Sequence, residues 1–384
     1  MYGVPLFFRL AWLAFTTNKG RLTPLTPKRF LLQCLFVPAL LYGKIQHSLA
    51  FLLDDIFFPG YRKIEIKEPV FLVGIPRSGT TFLHRLLAED TDHFTTFMYW
   101  ELILAPSIIE RKCLGVVSRV DRALGGFGRK LVVRFDHWIL KGFQTMHPIS
   151  LFEPEEDEWL LFHNFATIFL FFAFPFLDEA RHLLYFDEET APEDKERIMA
   201  FYKQCVQRHL YVHGPEKRLL SKNPSFSAKI DSVNATFPDA KILCCVRNPY
   251  EALPSFSSLM WFIWGLKPGQ SPWTPEMRKT LLDVVDHFYR HPMESLKRLP
   301  ENRHGFVQYD KLISAPKDTV ISSYEKLGLD MTPDYAGKLA AQQEKARAYK
   351  SSHTYSSEHY GLTQQDILEN YRAIFDHYGF CKDR

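Results

Sequence analysis

Cysteine is scarce in this chain, with six in 384 residues. Cys244 and Cys245 are adjacent in an apolar run and cannot staple separate segments. Cys34, Cys113, Cys205 and Cys381 show no metal-ligand spacing. Reduced thiols in a reducing compartment are expected, not a disulfide scaffold or a cysteine-held metal. An excess of one charge is missing too. The formal net charge of +3 is too small to argue for a nucleic-acid partner. Internal repeats and low-complexity linkers are absent, and the apolar N-terminus lacks a clean signal-peptide pattern. An uninterrupted membrane span is hard to find near that end. Phe30 to Leu53 is apolar but contains Gln33, Pro38, Lys44, Gln46 and His47.

What is present is core. The chain is 46% hydrophobic and 24% charged, a balance that collapses and does not stay disordered. Residues 1–66 read as an apolar, aromatic-rich helical extension, and peripheral membrane contact through residues 1–60 stays open. Residues 67–384 read as the main domain. Glu68 to Gly74, Lys217 to Ser221, Lys241 to Val246 and His304 to Tyr309 are short apolar runs of strand length. Helices are expected over Thr80 to Ala88, over Ser225 to Phe237, after Pro316 and from Thr363. A large, mainly helical insertion is expected over about 91–215. Strands alternating with helices predict an α/β fold of three layers around a central, mostly parallel sheet.

The first strand runs into Gly74-Ile75-Pro76-Arg77-Ser78-Gly79-Thr80-Thr81. Two glycines at this spacing, between a strand and a helix, mark a phosphate loop. Glycine lets the backbone turn so that several N–H groups face one anion, and the helix start adds its positive end. Ser78, Thr80 and Thr81 add hydroxyls. A nucleoside triphosphatase carries lysine after the second glycine, where this chain has Thr80. The cation sits earlier, at Arg77. The third strand ends in Arg247, not in an aspartate that could hold magnesium. Metal-independent transfer involving one phosphate and its attached group is the expectation.

A second anchor follows that strand. Arg247 lies where ligands of open parallel sheets bind, and Ser255 stands eight residues on, along a helix starting near Pro249. An arginine and a hydroxyl can hold another phosphate.

These two motifs resemble those of sulfotransferases that use 3′-phosphoadenosine 5′-phosphosulfate (PAPS). Pro76 to Thr81 is similar to the family's 5′-phosphosulfate loop, and Arg247 with Ser255 to its 3′-phosphate pair. Leu220-Ser221-Lys222-Asn223-Pro224 resembles the strand end that carries a lysine. His353 to Ser356, with Tyr360 to Thr363, is similar to the C-terminal segment of the bacterial-type branch. The resemblance covers roughly residues 68–380 and is loose over 91–215. It implies a P-loop-like fold and PAPS as donor, with PAP (the 3′,5′-bisphosphate left after transfer) as product and no metal. It further implies that Arg77 and Lys222 stabilise the transferring group.

The base is less defined. The cytosolic branch has a histidine two residues after this lysine, where this chain has Pro224. Other branches use a glutamate about twenty residues beyond the loop, which points to Glu101 in Tyr99-Trp100-Glu101. Its apolar flanks would raise its pKa toward a useful value. His147 is the competing candidate. The acidic run Glu153, Glu155, Glu156, Asp157 and Glu158 reads instead as a helix opening, with Pro154 in its first turn.

The insertion is dense in aromatics, among them Trp138, Phe143, Trp159, Phe162, Phe165, Phe169, Phe171, Phe172 and Phe174. Phe256, Met260, Trp261, Phe262 and Trp264 follow the third strand. This density favours a hydrophobic acceptor such as a lipid or sterol. Trp159 to Leu177 is long enough to span a membrane, but a span there would separate the two phosphate motifs. It reads as a buried helix or a wall for the acceptor. The placement that follows is cytoplasmic, with peripheral contact to a membrane. Two other readings stay open at this level. One is a P-loop-type kinase or hydrolase. The other is a catalytically silent, membrane-associated protein that binds PAP.

Overall fold

The computed structural model describes residues 3–140, 149–264, 274–348 and 360–382. Among them are β1 (Val70–Gly74), β2 (Phe94–Thr95), β3 (Arg218–Lys222), β4 (Lys241–Val246) and β5 (His304–Gln308). They form one sheet in the order β2-β3-β1-β4-β5, and every pairing is parallel. The four anticipated strands are all in it. β2 was not anticipated, because two residues carry no alternation to read. It is defined by its partner, with Phe94 opposite Arg218 and Thr95 opposite Leu219.

β1 and β4 are buried along their whole length. Both faces of such a parallel sheet are covered, so the strands are apolar without alternation. Their side chains still alternate in space. Phe71 and Val73 pack with Tyr202, Phe226 and Phe237 on one face, whereas Val70 and Leu72 pack with Leu83, Leu86 and Tyr324 on the other. Each such side chain, fully buried, contributes about 1.5–3 kcal/mol relative to exposure.

Two helices precede the sheet, α1 (Val4–Thr16) and α2 (Pro27–Phe57). The hydroxyl of Thr26 caps α2 by accepting the N–H of Arg29, and Pro27 fits the first turn. By length and composition α2 could cross a bilayer. Its C-terminal turns are nevertheless tied to the domain. Buried Asp54 accepts from Arg208 at 2.9 Å and from the N–H groups of Ile108 and Ile109 at 2.9 and 2.8 Å.

After β1 come α3 (Thr80–Ala88), α4 (Tyr99–Ile103), α5 (Ile108–Ala123) and α6 (Phe127–Leu140). The last two make a hairpin. Trp159 to Leu177 is not one helix. It breaks into the short helices Glu158–Phe162 and Leu170–Ala173, neither of spanning length. The helix expected over Ser225 to Phe237 is interrupted at Lys229, whose φ is −130°. That residue turns its ammonium inward to meet the buried Glu158 at 3.0 Å.

Candidate active site

β1 ends at Gly74, whose φ is 135°. A Cβ there would lie 2.1 Å from the carbonyl oxygen of Cys245 in β4, so only glycine fits. The hydroxyl of Ser227 pins the same residue, accepting its N–H at 2.8 Å and donating to its C=O at 2.9 Å. Arg77 and Gly79 then take positive φ, 72° and 89°. The left-handed turns curl the loop into a concave nest of backbone N–H groups, suited to an anion. α3 starts immediately after, and among the described residues no side chain caps its first turn. Its leading N–H groups and positive end are therefore offered to a ligand. The Ser78 hydroxyl is buried and donates to the Ile75 carbonyl at 2.7 Å. It closes the loop, so what Ser78 offers an anion is its backbone N–H.

Arg247 leaves β4 just before the helix Pro249–Ile263, which Asn248 caps by accepting the N–H of Tyr250 at 3.0 Å. Its guanidinium lies 4.0 Å from the ring centroid of Tyr309 and pairs with Glu251 at 2.9 Å. It also donates to the Arg77 carbonyl at 3.2 Å. Arg77 in turn donates through Nε to the Ser255 hydroxyl at 3.1 Å. Arg77, Arg247 and Ser255, distant in sequence, thus meet at the carboxyl ends of β1 and β4.

Lys222 completes the group from the end of β3. It is wholly buried, and its Nζ lies 2.6 Å from Glu155, 3.4 Å from Glu156 and 3.3 Å from the Thr81 hydroxyl. Burial pushes its pKa down, but the two carboxylates outweigh burial and raise it, so the ammonium stays charged.

The acidic run opens a helix only at its end, with Asp157 at the cap position and Glu158 in the first turn, and of the carboxylates before it Glu155 and Glu156 reach Lys222. Asp157 accepts from Tyr202 at 2.6 Å and from Asn223 at 3.0 Å, while Glu158 pairs with Lys229. Burial pushes the Asp157 carboxyl up to about 7, against the hydrogen bonds it accepts. Sequence reasoning missed Glu155 and Glu156 as site residues. The available signal was number: five carboxylates within 153–158 are more than one helix start needs.

Glu101 is elsewhere. It is fully buried on α4 and closes a capping box by accepting the N–H of Met98 at 2.9 Å. Its other oxygen meets His213 at 2.6 Å and Arg111 at 3.4 Å. His209 is 3.9 Å away, so these groups converge closely. Arg111 also donates to His209 at 3.1 Å, so the cluster contains its own cation. The raised pKa expected for Glu101 is reversed. Burial does push it up, but Arg111, the His213 hydrogen bond and His209 hold it down to about 2. This carboxylate is an anchor for the buried guanidinium of Arg111. Glu101→Gln is expected to cost about 3–5 kcal/mol of stability, the usual penalty for breaking a buried ion pair. The stability it supplies is complete above about pH 4.5 and is lost as pH falls toward about 2, because its pKa is depressed on folding. Denaturant titrations across pH test this. A variant as stable as wild type but slow in turnover would return Glu101 to the chemistry. His147, the other candidate, lies outside the described residues, as does the segment Lys350 to Tyr355.

A cavity of about 1700 Å³ joins these parts. Arg77, Gly79, Thr80, Thr81, Glu155, Glu156 and Arg247 line one end. The rest is mainly apolar, with Trp159, Phe162, Phe165, Phe169 and Phe172 from the insertion, Phe256, Met260 and Trp264 from the helix after β4, and Leu32, Leu35, Phe36 and Leu40 from α2, though Arg21, Lys28, Arg29, Lys44 and His47 line it as well. The expected aromatic wall is thus present, but it includes α2 and leaves out Trp138. That residue stands on α6 with 72% of its surface exposed. Phe143 lies outside the described residues.

Comparison with known proteins agrees with this geometry. Two solved structures share the fold. Sulfotransferase STF9 from Mycobacterium avium superposes with a TM-score of 0.73 at 18% identity, covering 97% of this chain and 95% of its own. Sulfotransferase STF1 from Mycobacterium tuberculosis H37Rv gives 0.67 at 21% identity, covering 96% and 91%. Among curated proteins, the omega-hydroxy-beta-dihydromenaquinone-9 sulfotransferase Stf3 of Mycobacterium bovis is 26% identical over 322 residues. The match covers 81% of this chain and 75% of the relative. The Mycobacterium tuberculosis protein of the same name matches equally. The sulfotransferase family model matches residues 69–333, a span holding the loop, the lysine strand end and the second anchor. The chain belongs to the sulfotransferase family.

Proposed function

We propose that this sulfotransferase moves the sulfuryl group of PAPS to the hydroxyl of a long hydrophobic alcohol. The observation that carries the reading is one continuous cavity, lined by phosphate-loop residues and two carboxylates and, over most of the remainder, by apolar side chains. Its volume of about 1700 Å³ exceeds the roughly 300–1,000 Å³ of an ordinary small-molecule pocket. A nucleotide donor and an extended apolar acceptor together need such room. The mycobacterial relatives act on an omega-hydroxy-beta-dihydromenaquinone-9, an acceptor of the same kind.

PAPS supplies the sulfuryl group and departs as PAP. The loop N–H groups, Arg77 and Thr81 take the 5′-phosphosulfate end, and Arg247 with Ser255 take the 3′-phosphate. Lys222, held charged and immobile, offsets negative charge that develops near Thr81. Glu155 fixes Lys222. Glu156, whose side chain is 18% exposed and lines the cavity, accepts the acceptor's hydroxyl proton. Glu101, the base expected from spacing, is replaced in this role.

Arg247→Met is expected to weaken PAP binding by about ten- to a hundredfold, the range for losing a hydrogen bond to a charged group. Calorimetric titration with PAP reads this, and unchanged affinity would remove Arg247 from the donor site. Labelled PAPS offered with hydrophobic alcohols and with sugars tests the acceptor class. Transfer to the alcohols is expected, and transfer to sugars alone would overturn it. The same reading places the enzyme on the cytoplasmic side, with residues 1–60 in peripheral contact with a membrane. The exposed apolar side chains of α2 support it.

A further inference from the structure

No described residue of the α5–α6 hairpin lines the cavity, and its surface is unlike that of a hairpin facing water. Leu124 is 79% exposed and Phe127 70%, and Val117, Leu131, Phe135 and Trp138 are exposed as well. Cations are interleaved with them. Lys112, Arg119, Arg122, Arg129, Lys130 and Arg134 are all exposed.

The carboxylates of the same stretch point elsewhere. Asp121 caps the start of α6, accepting from the N–H groups of Gly128 at 2.7 Å and Arg129 at 3.0 Å. Asp136 is buried and accepts from Ser150 at 2.8 Å and Leu151 at 2.9 Å. What the hairpin shows outward is apolar and positive.

An exposed apolar surface of this kind needs a cover. The interleaved cations decide which. A protein partner would have to desolvate many like charges along with the apolar side chains. A bilayer with anionic headgroups takes the apolar side chains into its acyl boundary and meets the cations with lipid phosphates. The hairpin also continues another apolar surface. α5 packs along α2. On α2, Leu31, Leu35, Tyr42, Ile45, Leu49 and Leu52 recur at helical spacing and are exposed. Leu32, Leu35 and Phe36 are exposed and also line the cavity, which marks its mouth.

We propose that the α5–α6 hairpin is a monotopic anchor for an anionic membrane leaflet. It buries Leu124 and Phe127 in the lipid, sets its arginines and lysines against the headgroups, and thereby turns the α2 mouth of the cavity toward the bilayer. The proposal extends the membrane contact beyond residues 1–60. It needs a membrane and no particular acceptor.

Flotation of the full-length chain with phosphatidylcholine vesicles, with and without phosphatidylglycerol, tests it. The wild type is expected to float with both and more strongly with the anionic vesicles. Arg129→Gln with Lys130→Gln is expected to lower partition to anionic vesicles about thirtyfold, as for two cations near a charged surface, and to leave neutral vesicles unchanged. Leu124→Ser with Phe127→Ser is expected to lower partition to both at least tenfold. All four side chains are exposed, so melting temperatures should stay at the wild-type value. Turnover of a detergent-dispersed alcohol should stay as well, so a failure here leaves the acceptor reading standing. Absence of wild-type binding, or equal binding by the variants, overturns the anchor. So does a lipid-free dimer that Leu124→Ser with Phe127→Ser dissociates, which would assign the surface to a second copy of the chain.

Discussion

Lys222→Met is expected to lower kcat about a thousandfold, the upper range for removing one preorganised donor to developing charge. The reason lies in how this lysine is held. An exposed lysine gains little when negative charge appears nearby, because water already solvates it and must reorganise. Lys222 is wholly buried, fixed by Glu155 at 2.6 Å and Glu156 at 3.4 Å, and only 3.3 Å from the hydroxyl of Thr81 at the start of α3. Its charge is already in place when the reaction begins. Methionine keeps the volume and removes the charge, but it also leaves two carboxylates without their cation, which costs stability. Lys222→Arg separates the effects. It keeps the charge, so it should recover most of the stability while turnover stays low because the donor atom has moved. PAP affinity, measured alongside, should change much less than kcat. Turnover of the methionine variant within tenfold of wild type would remove Lys222 from the chemistry.

The second large effect is expected at Glu156. Glu156→Gln should lower kcat about a hundredfold, the lower range for losing a general base, with PAP binding nearly intact. The choice between the two adjacent glutamates is geometric. Glu155 is 3% exposed, and the same oxygen, Oε1, accepts from Lys222 at 2.6 Å and from the N–H of Glu156 at 2.8 Å. It is committed to holding the lysine. Glu156 is farther from Lys222 and presents more of its side chain at the cavity wall. The low-pH limb of the kcat profile, set by protonation of the base, should disappear in the glutamine variant. Wild-type turnover in Glu156→Gln, with a hundredfold loss in Glu155→Gln and unchanged Lys222 geometry, would exchange the roles.

The geometry of the phosphate loop and of the second anchor was readable in the sequence because its parts are local. Gly74 to Thr81 carries in eight consecutive residues the strand end, the turn and the helix start. Arg247 and Ser255 sit on one helix entry at fixed spacing. Four strands were readable as apolar runs, since parallel strands buried on both faces need no alternation. β2 was not, because nothing in Phe94-Thr95 distinguishes it before β3 is beside it.

The surroundings of Glu101 were hidden for the opposite reason, because its partners are not local. Glu101 had the right distance from the loop, but its charge state is set by Arg111, His209 and His213. The last two lie more than a hundred residues further on, on the helix Pro192–His213. Apolar neighbours in sequence suggested a raised pKa, and Arg111 with the His213 hydrogen bond, brought by the fold, lowered it. Glu155 and Glu156 failed in the opposite direction. A carboxylate-rich stretch with a proline satisfies every local rule for a helix start. Only the approach of β3, whose Lys222 carbonyl accepts the N–H of Asp157 at 3.3 Å, shows that the run lies across the strand end. Trp138, counted in sequence among the aromatics that favour a hydrophobic acceptor, is exposed on α6.

On the proposed function this loop grips a phosphosulfate donor and not a nucleoside triphosphate. Thermal-shift titration of the full chain with PAP, with PAPS, and with ATP in the presence and absence of magnesium tests it most directly, since a ligand bound only by the folded state raises the melting temperature. A concentration-dependent rise with PAP and PAPS in magnesium-free buffer is predicted, with little response to ATP. A rise with ATP that requires magnesium, and none with PAP, would contradict the account.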